Sequence, residues 1–294
     1  MKRCVSMIVL ATCFVLAATS LPVLGDEIMF PGTKTQWNGY TMYLFDLDCG
    51  QYGKRPVKIV CPREAGSTRP WVWRAVYFGH EPQTELAMLA RGYYVAFIQC
   101  TDPAGSPRQV AQRNYLYDFL VKEKGFNPKP CLIGMSFGGI TNMNWAIANA
   151  DKVGPVYIDN PVLDIMALPS SPLRRPASES KNKNWDMVLN AYHFKSDAEA
   201  KAYKHNPVDA YEPLVRNQVP VLLMCGTADS VIPYELNGKL LWERMKKDGG
   251  IVQLVLKPGH DHHPHSLKDP ALIVNFFTNP PKTCSQCETT YSGK

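Results

Sequence analysis

Short apolar runs of strand length alternate along this chain with amphipathic segments of helix length. From residue 71 onward, this pattern predicts buried strands at 72–78, 93–98, 131–133, 156–158, 220–225 and 251–256. Apolar residues at helical spacing predict helices near 86–90, from 107 to about 125, from 137 onward, near 236–241 and near 273–277. Repeated units of this kind form a mostly parallel sheet with helices on both faces. The pattern therefore predicts an α/β fold, with an antiparallel hairpin over 38–62 at the start of the sheet.

One connection is far longer than the others. About 60 residues separate the strands at 156–158 and 220–225, which is too long for a plain loop. This segment starts with a stretch rich in Pro, Ser and Arg at 169–176, and helix-like stretches follow at 186–192 and 197–203. We expect a small cap inserted at about 160–216, over the edge of the sheet where ligands of α/β folds bind. One domain would then span 26–281, followed by a polar tail at 282–294.

The first 25 residues are typical of a secretory signal peptide, with a basic pair (Lys2 and Arg3), an apolar stretch and a breaker segment. The apolar stretch of about 15 residues is shorter than the roughly 20 that a membrane-spanning helix needs. We therefore expect a secreted or periplasmic protein with no stable membrane anchor after signal removal. The net charge of +6 includes both basic residues, and no basic stretch is interleaved with aromatic residues, so nucleic acid is not an expected partner.

Export would permit disulfides among the seven cysteines that follow the predicted signal peptide. Cys131 and Cys225 lie in predicted strands, where we expect buried thiols. Cys49 and Cys61 flank the turn of the predicted hairpin and could be joined by a disulfide. The C-x-x-C segment in the polar tail, Cys284 to Cys287, favours a local disulfide over a metal or redox site, because no second cysteine pair accompanies it. The pairing among these last four cysteines stays open.

The segment Gly134-Met135-Ser136-Phe137-Gly138 fits the pattern G-x-S-x-G, which in α/β-hydrolases places a nucleophilic serine on a sharp strand-to-helix turn. A predicted strand precedes this segment and a predicted helix follows it, as the motif requires. The N-terminus of that helix would supply N–H groups and the positive end of its dipole where an oxyanion forms. The alternative is a glycine-rich turn whose serine has no chemical role. We predict Ser136 as a nucleophile.

A serine nucleophile needs a base, and an acid that orients the base, in the chain order serine, acid, histidine. Asp229 lies in the turn directly after the strand at 220–225 and is the predicted acid, although a helix N-cap is an alternative role. Asp159 and Asp164 are alternative acids. The loop after 251–256 contains four of the seven histidines, His260, His262, His263 and His265. One of them would be the base. A metal site is the alternative use of this loop, disfavoured because no H-E-x-x-H motif or cysteine cluster accompanies it.

Two further features concern the substrate. The N–H groups of Phe137 and of Gly79 or His80, in the loop after 72–78, are the predicted oxyanion hole. Arg174 and Arg175 in the expected cap could bind an anionic part of the substrate through their planar guanidinium groups. Alternatively, the two arginines are a solvated surface pair. Gly79 is alternatively an ordinary turn glycine. We expect neither a cofactor nor a metal.

Four segments resemble a group of secreted α/β-hydrolases that is distantly similar to prolyl-oligopeptidase-like peptidases and acetylxylan-type esterases. They are Pro-Trp-Val-Trp-Arg-Ala at 70–75, Phe-Gly-His-Glu-Pro at 78–82, Gly-Met-Ser at 134–136, and 259–267. The resemblance runs from about 38 to 280 and implies an α/β-hydrolase fold. The group's loop usually reads Pro-Gly-x-Gly-His-His-Pro-His, which implies His262 as the base. Asp261 stands where glycine is usual, so His260 stays an alternative base. Phe137 stands where arginine is frequent.

The sequence therefore predicts a secreted serine hydrolase that cleaves carboxylic esters through Ser136, His262, Asp229 and an acyl-enzyme. An ester is favoured over an amide because the sequence contains no propeller or other gating domain. The expected substrate is a small-molecule or carbohydrate-linked acyl ester. A serine peptidase of prolyl-oligopeptidase-like type and a non-catalytic binding protein on a hydrolase scaffold are the alternatives.

Overall fold

The computed structural model describes residues 28–176, 178, 182–283 and 288–291. The predicted signal peptide and the tail cysteines Cys284 and Cys287 lie outside the described residues. Within the described ranges, no helix is both long enough and apolar enough to cross a membrane.

A single sheet runs through the molecule. Its strands are β1 (Thr33–Trp37), β2 (Tyr40–Asp48), β3 (Lys54–Val60), β4 (Trp71–Arg74), β5 (Tyr94–Ile98), β6 (Cys131–Met135), β7 (Val156–Asp159), β8 (Val221–Gly226), β9 (Val252–Lys257) and β10 (Glu288–Thr290). The strand order is β1-β2-β3-β5-β4-β6-β7-β8-β9-β10. Strands β1 to β3 pair antiparallel, β3 joins β5 antiparallel, and the pairs from β5 to β10 are parallel.

Helices cover the sheet and fill the long connection. They are α1 (Gln83–Leu89), α2 (Pro107–Asp118), α3 (Phe137–Ala148), α4 (Lys183–Tyr192), α5 (Asp197–Ala202), α6 (Glu212–Arg216), α7 (Gly238–Lys247) and α8 (Ala271–Thr278). A π-helical turn, Phe119–Glu123, extends α2, and short 3-10 turns lie at Gly50–Tyr52, Ala150–Lys152, Ile165–Ala167 and Tyr234–Leu236.

Alternation along each strand divides the core into two layers, because neighbouring side chains point to opposite faces. In β4, Trp71 and Trp73 enter one layer and Val72 enters the other. Trp73 packs edge-on against Trp145 of α3, with ring centroids 4.8 Å apart. The opposite layer includes Phe277 of α8. Helices thus pack on both faces of a mostly parallel sheet, which confirms the predicted α/β-hydrolase class of fold.

The connection between β7 and β8 contains α4, α5 and α6. Trp185 and Val188 of α4 form a third apolar cluster with Ala104 and with Ile140 of α3. This segment, the expected cap, therefore packs against the helix that begins directly after Ser136.

The suggested disulfide between Cys49 and Cys61 is wrong, because Cys49 has a free, buried thiol. Strands β2 and β3 pair from Met42–Val60 to Asp48–Lys54, so Cys49 lies at the turn of the hairpin and Cys61 at its open end. At about 3.4 Å per residue, the six steps between these two pairs alone span roughly 20 Å, whereas a disulfide needs Cα atoms within about 7 Å. Cys131 and Cys225 are buried free thiols, as predicted.

Candidate active site

Ser136 lies on a strained turn between β6 and α3. Its backbone has φ 52° and ψ −119°, a region that non-glycine residues rarely occupy. The Ser136 N–H donates to the carbonyl of Asp159 at 3.0 Å, which fixes the turn to the end of β7. A Cβ at Gly134 would collide with the Gly138 carbonyl, so only glycine permits this close passage of strand and helix. The turn holds the Ser136 side chain at the C-terminal edge of the sheet.

A chain of hydrogen bonds joins three of the predicted residues. His262 Nε2 lies 3.1 Å from Ser136 Oγ, and His262 Nδ1 lies 2.8 Å from Asp229 Oδ2. With the proton on Nδ1, the imidazole donates to Asp229 and can accept the Ser136 hydroxyl proton. The other oxygen of Asp229 accepts from the N–H groups of Val231 and Ile232 at 2.9 and 2.7 Å. Both His262 and Asp229 are buried. The arrangement can transfer a proton from a serine to a histidine held by a carboxylate.

Two side chains that were not predicted to have this role hold the loops of Asp229 and His262 together. Asn160, at the end of β7, donates to the His262 carbonyl at 2.8 Å and accepts from the Gly226 N–H at 2.7 Å. Asp261 accepts from the N–H groups of Ser230 and His262 at 2.8 and 2.7 Å. These backbone hydrogen bonds, from Ser230 first, hold the pKa of Asp261 below its usual value. Asp261, which stands where the similar α/β-hydrolases usually have glycine, therefore joins the two loops.

The part of the site where an oxyanion hole is predicted also contains a tyrosine that the sequence did not indicate. Phe137 is the first residue of α3, where a backbone N–H has no acceptor within its own helix. Gly79 lies in the loop after β4, with φ 88°. The His80 N–H donates to the Tyr77 carbonyl at 3.0 Å and is thus already engaged. The Tyr77 hydroxyl lies near the Ser136 side chain. Burial raises the pKa of Tyr77, and an interaction with Ser136 partly offsets this effect.

Arg74, a fully buried residue at the end of β4, shapes the loop that presents Tyr77. Its Nη1 donates to Glu85 of α1 at 2.6 Å, and the two side chains form a buried ion pair. The rest of the guanidinium donates to the carbonyls of Val76 (2.8 Å), Tyr77 (3.2 Å) and His80 (2.9 Å). A rigid, planar cation suits such a convergent set of acceptors.

The alternative candidates have other contacts. His260 Nδ1 lies 3.1 Å from the Pro258 carbonyl, whereas His262 contacts both Ser136 and Asp229. Asp164 caps the turn at Ile165–Ala167 by accepting from the Met166 N–H at 2.8 Å, and burial raises the pKa of Asp164. Among the candidate bases and acids, His262 and Asp229 therefore form the hydrogen-bonded chain that ends at Ser136.

The two cap arginines also bind within the protein. Arg174 donates to the carbonyls of Ala167, Val231 and Ser230 at 2.6, 2.6 and 3.2 Å. Arg175 forms an ion pair with Asp197 at 2.8 Å. These contacts give both side chains a structural role, and their binding of substrate stays a prediction.

Asp159, the other alternative acid, is fully buried behind the histidine loop. It forms an ion pair with Lys257 at 2.9 Å and accepts from the Tyr157 hydroxyl and the Ser266 N–H at 2.8 and 2.7 Å. Although burial alone would raise the pKa of Asp159, the nearby His265 and Lys257 hold it below the usual value. Asp159 thus fixes the base of the loop that contains His262.

Comparisons with known proteins agree with this fold. The sequence matches the model of the prolyl oligopeptidase family over residues 116–279. A search of curated proteins found no match. Among solved structures, a puromycin-hydrolyzing peptidase of Mycobacterium tuberculosis superposes with a TM-score of 0.61 at 14% identity, covering 81% of this chain and 38% of that chain. An acylaminoacyl peptidase of Pyrococcus horikoshii gives a TM-score of 0.61 at 15% identity, covering 86% of this chain and 43% of that chain.

A cold-adapted esterase from an Arctic intertidal metagenomic library gives a TM-score of 0.50 at 14% identity, covering 80% of this chain and 91% of the esterase. This chain thus spans about two fifths of each of the two peptidases and nine tenths of the esterase. Because the family match covers more than half of the sequence and the α/β-hydrolase fold agrees with it, this chain belongs to the prolyl oligopeptidase family.

Proposed function

We propose that this chain is an exported serine esterase that cleaves small-molecule or carbohydrate-linked carboxylic esters. One observation carries the catalytic part of the proposal: the hydrogen-bonded chain from Ser136 through His262 to Asp229, with distances of 3.1 and 2.8 Å. Export rests on the signal-like N-terminal residues.

In this mechanism the Ser136 hydroxyl attacks the ester carbonyl while His262 Nε2 accepts its proton. Asp229 holds the imidazole in the required tautomer and stabilises its positive charge. The Phe137 N–H and the Tyr77 hydroxyl donate to the oxyanion, together with the predicted Gly79 N–H. His262 then gives its proton to the leaving alcohol. Finally, a water molecule activated by His262 releases the acyl group and regenerates Ser136.

The choice of an ester over a peptide rests on how much of each similar protein this chain covers. This chain matches nearly all of an esterase but well under half of each of the two peptidases, so most of each peptidase has no counterpart among the matched residues. Peptide cleavage is the second candidate function, because the two peptidases superpose with a higher TM-score than the esterase does. A non-catalytic binding protein would have no need of the Ser136, His262 and Asp229 arrangement.

The test compares the purified chain with its Ser136→Ala variant on acyl esters of increasing chain length and on a peptide panel. We expect ester turnover by the wild type and a loss on the order of 10⁴-fold or more in the variant, because removal of a nucleophile leaves only residual catalysis. A fluorophosphonate should label the wild type alone. Undiminished labelling of Ser136→Ala would falsify the assignment of the nucleophile, and turnover confined to peptides would make the chain a peptidase.

A further inference from the structure

Three histidines outside the proposed proton-transfer chain converge beside it. His80 lies in the loop after β4, and His263 and His265 lie in the loop after β9. One ring nitrogen of each lies within 4.8 Å of the others. The ring centroids are 6.0 Å apart for His80 and His263, 5.9 Å for His80 and His265, and 4.7 Å for His263 and His265. Among the described residues, no other group of three or more His, Cys, Asp or Glu side chains has this arrangement.

A buried carboxylate lies behind one member of the cluster. His265 is buried, and its Nδ1 lies 3.5 Å from Oδ1 of Asp159. Asp159 is itself fixed by Lys257 and by the Ser266 N–H, so a fixed carboxylate lies behind the ring of His265. With Nδ1 facing Asp159, the Nε2 of His265 is the nitrogen left for a ligand. A carboxylate behind an imidazole in this way is the usual support of a metal-binding histidine.

The other two histidines can adjust to a cation. Zn²⁺ binds imidazole nitrogens at about 2.0–2.1 Å in a tetrahedral arrangement, which places three such nitrogens roughly 3.4 Å apart. His80 and His263 are exposed and are free to close this small difference by side-chain rotation, while His265 stays fixed. Three imidazoles and an open fourth position suit borderline transition-metal cations, and not Mg²⁺ or Ca²⁺, which prefer oxygen ligands.

We propose that His80, His263 and His265 bind a divalent transition-metal cation such as Zn²⁺, and that the bound cation inhibits the hydrolase. The inhibition rests on the proposed function. The ring of His262 lies 5.0 Å from that of His263 and 4.8 Å from that of His265, between centroids. Coordination would fix the rings of His263 and His265, which pack edge-on against the ring of His262, and would so restrain His262 beside Ser136. Coordination of His80 also restrains the loop that presents Tyr77.

Binding is tested without catalysis, on the untagged full chain with Ser136→Ala. Titration with ZnCl₂ by calorimetry should show one tight site, and CoCl₂ should give the visible absorption of a four-coordinate cobalt site. In the Ser136→Ala background, His80→Ala and His263→Ala should each weaken Zn²⁺ binding at least tenfold, as the loss of a ligand predicts. His205→Ala, which removes an exposed histidine outside the cluster, is the matched control and should bind normally. MgCl₂ should not compete. Equal affinity in His263→Ala, His80→Ala and the control would overturn the site.

Inhibition is tested on the active chain with an ester substrate. We expect turnover to fall as Zn²⁺ fills the site and to return on addition of a chelator. In His263→Ala, the same inhibition should need at least tenfold more Zn²⁺. The His263 side chain is exposed, so its removal should not disturb folding. Stoichiometric Zn²⁺ binding with unchanged turnover would overturn the inhibition. If the wild type turns over no substrate but the Ser136→Ala chain still binds Zn²⁺, the proposed function fails and the metal site stands.

Discussion

Tyr77 brings a phenolic hydroxyl to Ser136 from a loop that the sequence pattern placed inside a strand. Its side chain is half-exposed, and its backbone has φ 54°. In the proposed mechanism, a hydroxyl in this position would stabilise charge that develops on the substrate oxygen without itself moving a proton. Such a donor acts on the transition state more than on the bound substrate, so its removal should lower kcat and leave KM almost unchanged.

We therefore expect Tyr77→Phe to reduce kcat by roughly 10²-fold, which is the usual effect of removing one oxyanion donor. The exposure of Tyr77 means that the variant should keep the thermal stability of the wild type. Steady-state kinetics on one ester, with Tyr115→Phe as the control at another exposed tyrosine, checks this prediction. A rise in KM with an unchanged kcat would show that Tyr77 contacts the ground-state substrate instead.

At the scale of elements, the predicted strand over 72–78 ends four residues early, at Arg74. An apolar and aromatic run was visible in the sequence, but the pairing of Arg74 with Glu85 of α1 was not. A buried cation needs acceptors on several sides, and the chain after Arg74 turns to supply three carbonyls. The ion pair and these three hydrogen bonds hold the loop that contains Tyr77 and His80.

We expect Arg74→Met to destabilise the fold by about 3–5 kcal/mol, because it leaves Glu85 buried without its partner. The surface pair of Lys122 and Asp118 is the matched control, and Lys122→Ala should cost less than about 1 kcal/mol. Urea unfolding of both variants measures the difference. If Arg74→Met costs no more than Lys122→Ala, the buried pair does not hold the loop. If Arg74→Met/Glu85→Leu regains the stability of the wild type, the loss of folding free energy comes from the unpaired Glu85 carboxylate.

The sequence was informative where a function depends on neighbours along the chain. The strand-to-helix turn at Ser136 and the position of Asp229 after β8 follow from local patterns, and His262 follows from the resemblance of its loop. Tyr77 and Asn160 were missed because their roles depend on contacts between segments that are distant in sequence. The edge strand β1 was missed because its residues are mostly polar and exposed, so they show little alternation.

At the scale of the whole molecule, the parallel strands bring the side chains of the candidate site to one edge of the sheet. The end of β6 presents Ser136, the end of β7 presents Asp159 and Asn160, and the loops after β8 and β9 present Asp229 and His262. This edge is where ligands bind in open α/β folds. The segment between β7 and β8 joins the same edge, since Arg174 donates to the carbonyls of Ser230 and Val231, directly after Asp229.

Arg174 and Arg175 distinguish two models of how that segment serves the site. If they hold it against the loop of Asp229, Arg174→Ala/Arg175→Ala should lower kcat/KM equally for an acidic ester and for its matched neutral analogue. If they bind an anionic substrate group, only the kcat/KM for the acidic ester should fall. In the wild type, the higher kcat/KM for the acidic ester should then decrease with added salt, because exposed charges are screened. We expect the equal loss, because the Arg174 guanidinium already donates to three carbonyls and Arg175 is paired with Asp197. Measuring kcat/KM for both esters at low and high salt decides between the models. If the ratio of the acidic to the neutral kcat/KM changes in the double variant, the arginines bind the substrate.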